Sequence, residues 1–267
     1  MNSLKSNFAG SFYPGNDLVL QRQIQSFLDN TQKTIVKPKA LLAPHAGYVY
    51  SGQTAAYAYK QLEEENYKTA IILGPTHQVY SQHLAIPIED SFLTPLGKVD
   101  FDMNIINTLL GSKLFIKDST PHYEEHSLEV QIPFLKTMLP KIKIVPISVG
   151  GVDLETMAEA AEILAGVLRP DVILIMSSDL SHYHPLSMAK NLDQHTINQI
   201  LSLDYKKVVA EYQKKNIECC GIYPIIMSLL TFTHFKDVKA SLLYYDTSAS
   251  ASFDDQRVVG YASIAFY

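Results

Sequence analysis

Seven short apolar runs, rich in β-branched residues, recur along the chain at 39–43, 69–73, 84–88, 143–149, 171–177, 239–245 and 257–265. Their length and composition predict buried strands. Longer segments with helical spacing lie between them. Residues 17–29 place Leu18, Leu20, Ile24 and Leu28 at such spacing, and 52–64 forms an Ala- and Tyr-containing stretch that Ser51 is positioned to cap. Further helices are predicted over 102–111, 127–139, 153–168, 186–201, 204–214 and 222–232. Strands alternating with helices predict an α/β fold, with a largely parallel central sheet flanked by helices. A strand such as Val172–Met176, apolar at every position, suits a sheet covered on both faces. No repeat, low-complexity tract or Pro/Gly/Ser-rich linker interrupts the pattern, so residues 1–267 are expected to form a single domain.

Composition narrows the function classes. With 267 residues, 47% of them hydrophobic, the chain can bury a large core. Its net charge is -5, and Lys and Arg are neither dominant nor clustered, so no nucleic-acid footprint is present. No apolar run is long enough to cross a bilayer, and the first residues lack the apolar core of a signal peptide; a cytoplasmic location is expected. The two cysteines, Cys219 and Cys220, are adjacent and poorly placed to bridge, which excludes a disulfide framework and fits a reducing compartment.

The chemistry gathers where strands end. His45 follows the first run in "LLAPHAGYVYSG", His77 ends "AIILGPTH", and "VILIMSSDLSHYH" carries Asp179 and His182. Taken singly, His45 and His77 read as turn histidines, and Ser178 or Asp179 as a helix N-cap. Parallel strands, however, would deliver all of them to one edge of the sheet, the edge at which such folds bind ligands. The spacing of Asp179 and His182 suits a helical turn that puts both on one face, where the carboxylate can orient the imidazole and fix its tautomer. Neutral imidazoles converging in a cleft serve as metal ligands or as acid/base groups. Two His leave a metal short of ligands, and the third could be a carboxylate or a thiolate. Cys220 is a candidate because it precedes Gly221 and a helix start at 222, where a thiol pKa is lowered. On residue type alone, inert packing of Cys219 and Cys220 is the stronger reading. Residues 122–126 spell "HYEEH", the inverted zincin pattern, which requires both His on one helix face. Thr120 and Pro121 precede it and helical spacing starts only near Ser127, so this stretch reads better as a loop and helix start close to the pocket, bringing His122 or His126 and Glu129.

Together the pieces "AGSFYPG" (9–15), "APHAGYVYSG" (43–52), "GPTH" (74–77), "EHSLEVQIPFL" (125–135), "SSDLSHY" (177–183) and "CG" (220–221) resemble the Memo family, named for a mediator of ErbB2-driven cell motility. Its prokaryotic members are called the AmmeMemoRadiSam system protein B family. The resemblance covers essentially the whole chain. It implies a fold like that of class III extradiol dioxygenases, which hold iron with two His and one Glu. It maps the two His onto His45 and His77, replaces the carboxylate with Cys220, and places His182 as the acid/base residue with Asp179 beside it. Tyr48 and His126 are expected to border the cleft as substrate-binding residues. A thiolate is softer than a carboxylate and admits copper and zinc as well as iron(II), so iron is expected first and copper second. It is also oxidisable, so ring cleavage does not carry over. The resemblance thus implies a metal-dependent oxidoreductase acting on a small molecule or peptide, with a functional link to a radical SAM protein. Two alternatives stand beside it: a non-catalytic peptide- or protein-binding module using the same cleft, and a zinc hydrolase built on "HYEEH". The scarcity of arginine (Arg22, Arg169 and Arg257) counts against phosphopeptide recognition.

Overall fold

All seven apolar runs form strands in the computed structural model, which describes residues 2–267. In chain order the elements are β1 (Ser3–Lys5), α1 (Asp17–Asp29), β2 (Ala40–Ala43), α2 (Tyr48–Tyr59), β3 (Thr69–Pro75), β4 (Leu84–Ile86), β5 (Ser91–Thr94), β6 (Gly97–Asp100), α3 (Met103–Leu110), β7 (Phe115–Lys117), α4 (His126–Glu129) and α5 (Ile132–Met138). They continue with β8 (Lys143–Val149), α6 (Leu154–Val167), β9 (Val172–Ser177), β10 (His182–His184), α7 (Leu186–Leu201), α8 (Tyr205–Gln213), α9 (Ile222–Phe232), β11 (Ala240–Thr247), α10 (Ala249–Ser252) and β12 (Val258–Phe266).

The fold is α/β, a central sheet flanked by helices. Its middle strands β2, β9, β3 and β8 run parallel in that order. Antiparallel strands extend it on both sides: β12 joins β2 and carries β10 and β11, while β4 joins β8 and is paired in parallel by β7. Every residue of β2, β3 and β9 is buried, as expected for strands with both faces covered. Helix α2 packs on β2 and β12, and α9 packs on β3 and β9. Strands β1, β5 and β6 form a small second sheet. These strands, with β7 and β10, are as short as β2 and β4 but carry polar or charged residues in place of a continuous apolar run, so the hydrophobic pattern does not reveal them. Among the described residues no helix is long and apolar enough to cross a membrane.

Three local expectations are corrected. Helix α2 starts at Tyr48, not at residue 52, because its first turn is held from outside: Tyr48 N donates to Phe12 O at 2.7 Å. Ser51 therefore lies within the helix, and its hydroxyl donates back to Ala46 O. The segment predicted as one helix over 127–139 is two, α4 and α5. Pro133 has no N–H for the carbonyl of Glu129 and its ring crowds that group, so α4 stops there. No helical turn joins Asp179 to His182. Ser178 N donates to Ala43 O, Leu180 N to Gly260 O and Ser181 N to Asp193 Oδ1, so the segment's backbone donors are spent on neighbouring elements and it leads into β10.

Candidate metal centre

The parallel strands β2, β3 and β9 end side by side, with Ala43 opposite Ser177, and their carboxyl ends lead to His45, His77 and Asp179 on one edge. His126 arrives from a different element, as the first residue of α4. That short helix is fixed to the end of β3 by Ser127 Oγ, which donates to Pro75 O at 2.8 Å. The result is a triangle of imidazoles. Ring centroids are 5.1 Å apart for His45 and His77, 5.3 Å for His45 and His126, and 4.7 Å for His77 and His126. One ring nitrogen from each of the three lies within 4.8 Å of the others.

Hydrogen bonds behind the rings decide which nitrogens face inward. His45 Nδ1 is 2.9 Å from Ser177 Oγ. The Ser177 hydroxyl gives its single proton to Ser127 O at 2.6 Å and accepts from Gln131 Nε2 at 2.8 Å. Only an acceptor site remains on that oxygen, so His45 Nδ1 carries the proton and Nε2 is left bare. Gln131 is held in turn: Nε2 also donates to Pro44 O, and Oε1 accepts from Tyr59 OH. At His77, Nδ1 lies 2.9 Å from Glu125 Oε1, while His77 N donates to Glu125 Oε2. Glu125 Oε1 also accepts from Ser127 N, so one carboxylate caps α4 and orients His77.

The electrostatics follow from this packing. Burial, reinforced by neighbouring His77 and His182, pushes the His45 pKa down to about 3. Burial and His45 push His126 down to about 4. Burial opposes charge on His77 too, but the hydrogen bond and charge of Glu125 outweigh it and raise that pKa. Burial likewise disfavours a charged Glu125, yet its bonds to His77 and Ser127 hold it down at about 2.

Cys220 Sγ lies 3.0 Å from His45 Nε2 and accepts from Asp179 N at 3.1 Å. It is thus beside one corner of the imidazole triangle, whereas Cys219 packs in the apolar core. The expected lowering of the thiol pKa at a helix start does not occur: burial pushes Cys219 up to about 12 and raises Cys220 well above the ordinary thiol value. Asp179 does not hydrogen-bond His182. Its Oδ1 accepts from His45 N at 2.7 Å and so braces the turn that presents His45. His182 lines the cleft, held through its own backbone N–H by Glu218 Oε1, whose other oxygen pairs with His184.

The cleft in front of the triangle has a volume of about 630 Å³. His45, His77, His126, Asp179 and His182 all line it, as do Phe12, Tyr50, Tyr261 and Arg257. Tyr48 does not. It turns into the core, where its hydroxyl donates to Val130 O and its ring packs on Tyr13 and Phe134, because the helix carrying it starts a turn earlier than expected. His122 also stays outside: its ring bonds Ala85 O behind the site. Tyr123 is extended and Glu124 has φ +56°, so His122 and His126 share no helix face and the zincin pattern is not assembled. The spacing of motifs gave no hint of Glu125, Ser177 or Gln131, although each lies within a quoted motif. Arg257 sits outside them all.

A family model described as "Memo-like protein" matches residues 5–265. A MEMO1 family protein of Archaeoglobus fulgidus is 37% identical over 261 residues, covering 97% of each chain. Those of Methanocaldococcus jannaschii and Aquifex aeolicus are 36% identical over 275 residues and 32% identical over 260 residues, covering 96% and 97% of each chain. Among solved structures, the crystal structure of uncharacterized protein JW3007 from Escherichia coli K12 superposes with a TM-score of 0.55 at 10% identity, covering 85% of this chain and 98% of that one. That likeness concerns the fold.

Proposed function

Because the chain belongs to the Memo family, we propose that it is a metal-dependent redox protein whose ion is held by His45 and His77, with His126 and Cys220 completing the ligands. The observation that carries the reading is the triangle of imidazoles, with His45 buried, His126 half-buried and His77 open to the cleft, each offering a ring nitrogen within 4.8 Å of the others. The donor chemistry fits an ion. His45 and His126 are neutral near pH 7, and the Ser177 and Glu125 hydrogen bonds turn bare nitrogens of His45 and His77 to a common point. Imidazoles with one sulfur form a borderline-soft set that takes iron(II), which we place first, then copper, with zinc admitted. Such an ion would supply Lewis acidity and, for iron or copper, one-electron chemistry.

The chain's own groups have separable tasks. Asp179 and Ser177 hold His45 in place, Glu125 holds His77, and Phe8 and Phe12 pack on His126 and shield it from water. His182, on the cleft wall, is the group placed to accept or donate a proton on a bound substrate. After anaerobic purification, elemental analysis should find near-stoichiometric metal in the wild type and little in His45→Ala or His77→Ala. Lowered content in His126→Ala and in Cys220→Ser would assign the remaining ligands. Undiminished metal in both His45→Ala and His77→Ala would refute the centre.

A second reading is a peptide-binding cleft without chemistry. What favours it is Arg257, whose guanidinium lies 5.1 Å from the Tyr183 ring centroid on the cleft wall and offers a cation to an anionic side chain. Capture of a phosphotyrosine peptide that survives His45→Ala but is lost in Arg257→Gln would support it, and no capture above background would exclude it.

A further inference from the structure

The opposite edge of the central sheet, where β2, β3 and β9 begin, holds a separate cavity of about 380 Å³. Its floor is apolar: Val172 and Phe232 are buried there, and Leu168 and Phe235 form half-buried walls. Tyr67 adds a wall whose polar end is already satisfied, since its hydroxyl donates to Pro38 O at 2.6 Å. The mouth is different, because three cations line it: Lys37, Lys39 and Arg169. In a chain of net charge -5 that is a local reversal of sign.

These cations are weakly committed elsewhere. Among the described residues, no carboxylate lies within ion-pair distance of the Lys37 or Lys39 ammonium. Arg169 has a single carboxylate contact, Asp171 at 3.5 Å, and Lys68 competes for it at 3.4 Å. Lys37 is also held in an unusual backbone state. Its φ is +51°, which a lysine rarely adopts, and a proline follows it. Glu65 Oε1 secures that conformation by accepting from Lys37 N at 3.1 Å. The carboxylate thus fixes the backbone there, and the ammonium is left for the mouth.

An apolar floor excludes a purely polar ion, and a cationic mouth disfavours a neutral or cationic apolar molecule. We propose that this cavity is a second ligand site, distinct from the metal cleft, which takes a small amphipathic anion: an apolar body seated on Phe232 and Val172, with a carboxylate at Lys37, Lys39 and Arg169. The volume equals about a dozen waters of liquid at ~30 Å³ each, and it falls within the range of small-molecule pockets. That suits a body of roughly ten non-hydrogen atoms.

The chain has no tryptophan, so Phe235→Trp places a single indole in the cavity wall. Octanoate should shift its emission saturably, with octanol and octylammonium binding about tenfold more weakly or worse. Adding Lys37→Gln, Lys39→Gln and Arg169→Gln should weaken octanoate about tenfold, leave octanol unchanged and leave metal content unchanged. Calorimetry of octanoate with the wild-type chain guards against an effect of the reporter. Equal affinity for the three probes, or no saturable octanoate signal by either method, would overturn the proposal. So would binding of polyglutamate, but not octanoate, that depends on the three cations; that result would make the site a dock for an acidic polypeptide.

Discussion

Glu125 and Glu124 are neighbours with opposite fates. In the sequence they form one acidic turn before a helix, where either would suit the helix dipole. In the structure Glu125 is buried, accepts three hydrogen bonds and orients His77, while Glu124 takes the φ +56° turn. Glu125→Gln keeps the shape and removes the charge that favours the inward-facing His77 tautomer. Its metal affinity should fall by about 10–100-fold, as for other carboxylates behind a ligating His, with the fold retained. A competitive chelator titration measures this, and unchanged affinity would separate His77 from the ion. His45 and His77 were legible because each directly follows a strand. Cys220 was singled out only through family resemblance, because residue type alone does not tell which cysteine of the 219–220 pair packs in the core and which lies beside His45.

The turn from Cys220 into α9 depends on a close approach. A Cβ on Gly221 would stand 2.4 Å from Ser177 O and 2.5 Å from Ser178 Cβ, so only glycine lets the start of α9 rest on the end of β9. That contact sets the Cys220 sulfur beside His45. Gly221→Ala should therefore push the two elements apart, at a cost of ~1–3 kcal/mol from overpacking. Metal content should drop out of proportion to that cost, and parallel melting and elemental analysis of the variant would show it. If the variant melts lower yet keeps its metal, the sulfur is not needed. The same kind of inter-element tie explains the misread helix starts. Spacing in the chain reports which face of a helix is apolar, but Phe12 O on Tyr48 N and the Pro133 ring decide where α2 begins and where α4 ends.

Acidity links the site to the stability of the whole chain. His45 and His126 have folded pKa values of about 3 and 4, against 6.5 when unperturbed. Between those limits the unfolded chain binds more protons than the folded one, so stability falls as pH drops below about 6.5. Glu125, held at about 2 against 4.5, adds a further loss as pH falls from 4.5 towards 2. His77 acts in the opposite sense: its raised pKa contributes stability below 6.5 that is lost as pH rises through the folded value. His122, whose burial holds it at about 4 behind the site, adds to the same loss; with three depressed imidazoles against one raised, the chelated protein should melt progressively lower from pH 6.5 to 4, and His126→Gln should flatten the dependence in part. A melting temperature constant across that interval would mean that the imidazoles are not buried as described. Protons also compete with an ion for the same nitrogens, so metal retention should fall over the same range.

The α/β class, the seven apolar strands and the edge on which the histidines emerge are written in local patterns of apolar residues, because burial on both faces demands a continuous apolar run and parallel strands share an exit. Strands β1, β5, β6, β7 and β10 lack such a run, and which antiparallel strands flank the parallel centre is a matter of pairing between distant segments. The site divides in the same way. Chain position places His45 and His77 at strand ends. Family resemblance put His126 at the cleft, but folding alone makes it the third corner of the imidazole triangle, commits the Ser177 proton to Ser127 O, sends Tyr48 inward and sets Arg257 on the cleft wall. Each of those outcomes depends on hydrogen bonds or packing between residues tens of positions apart, and no local pattern encodes such contacts.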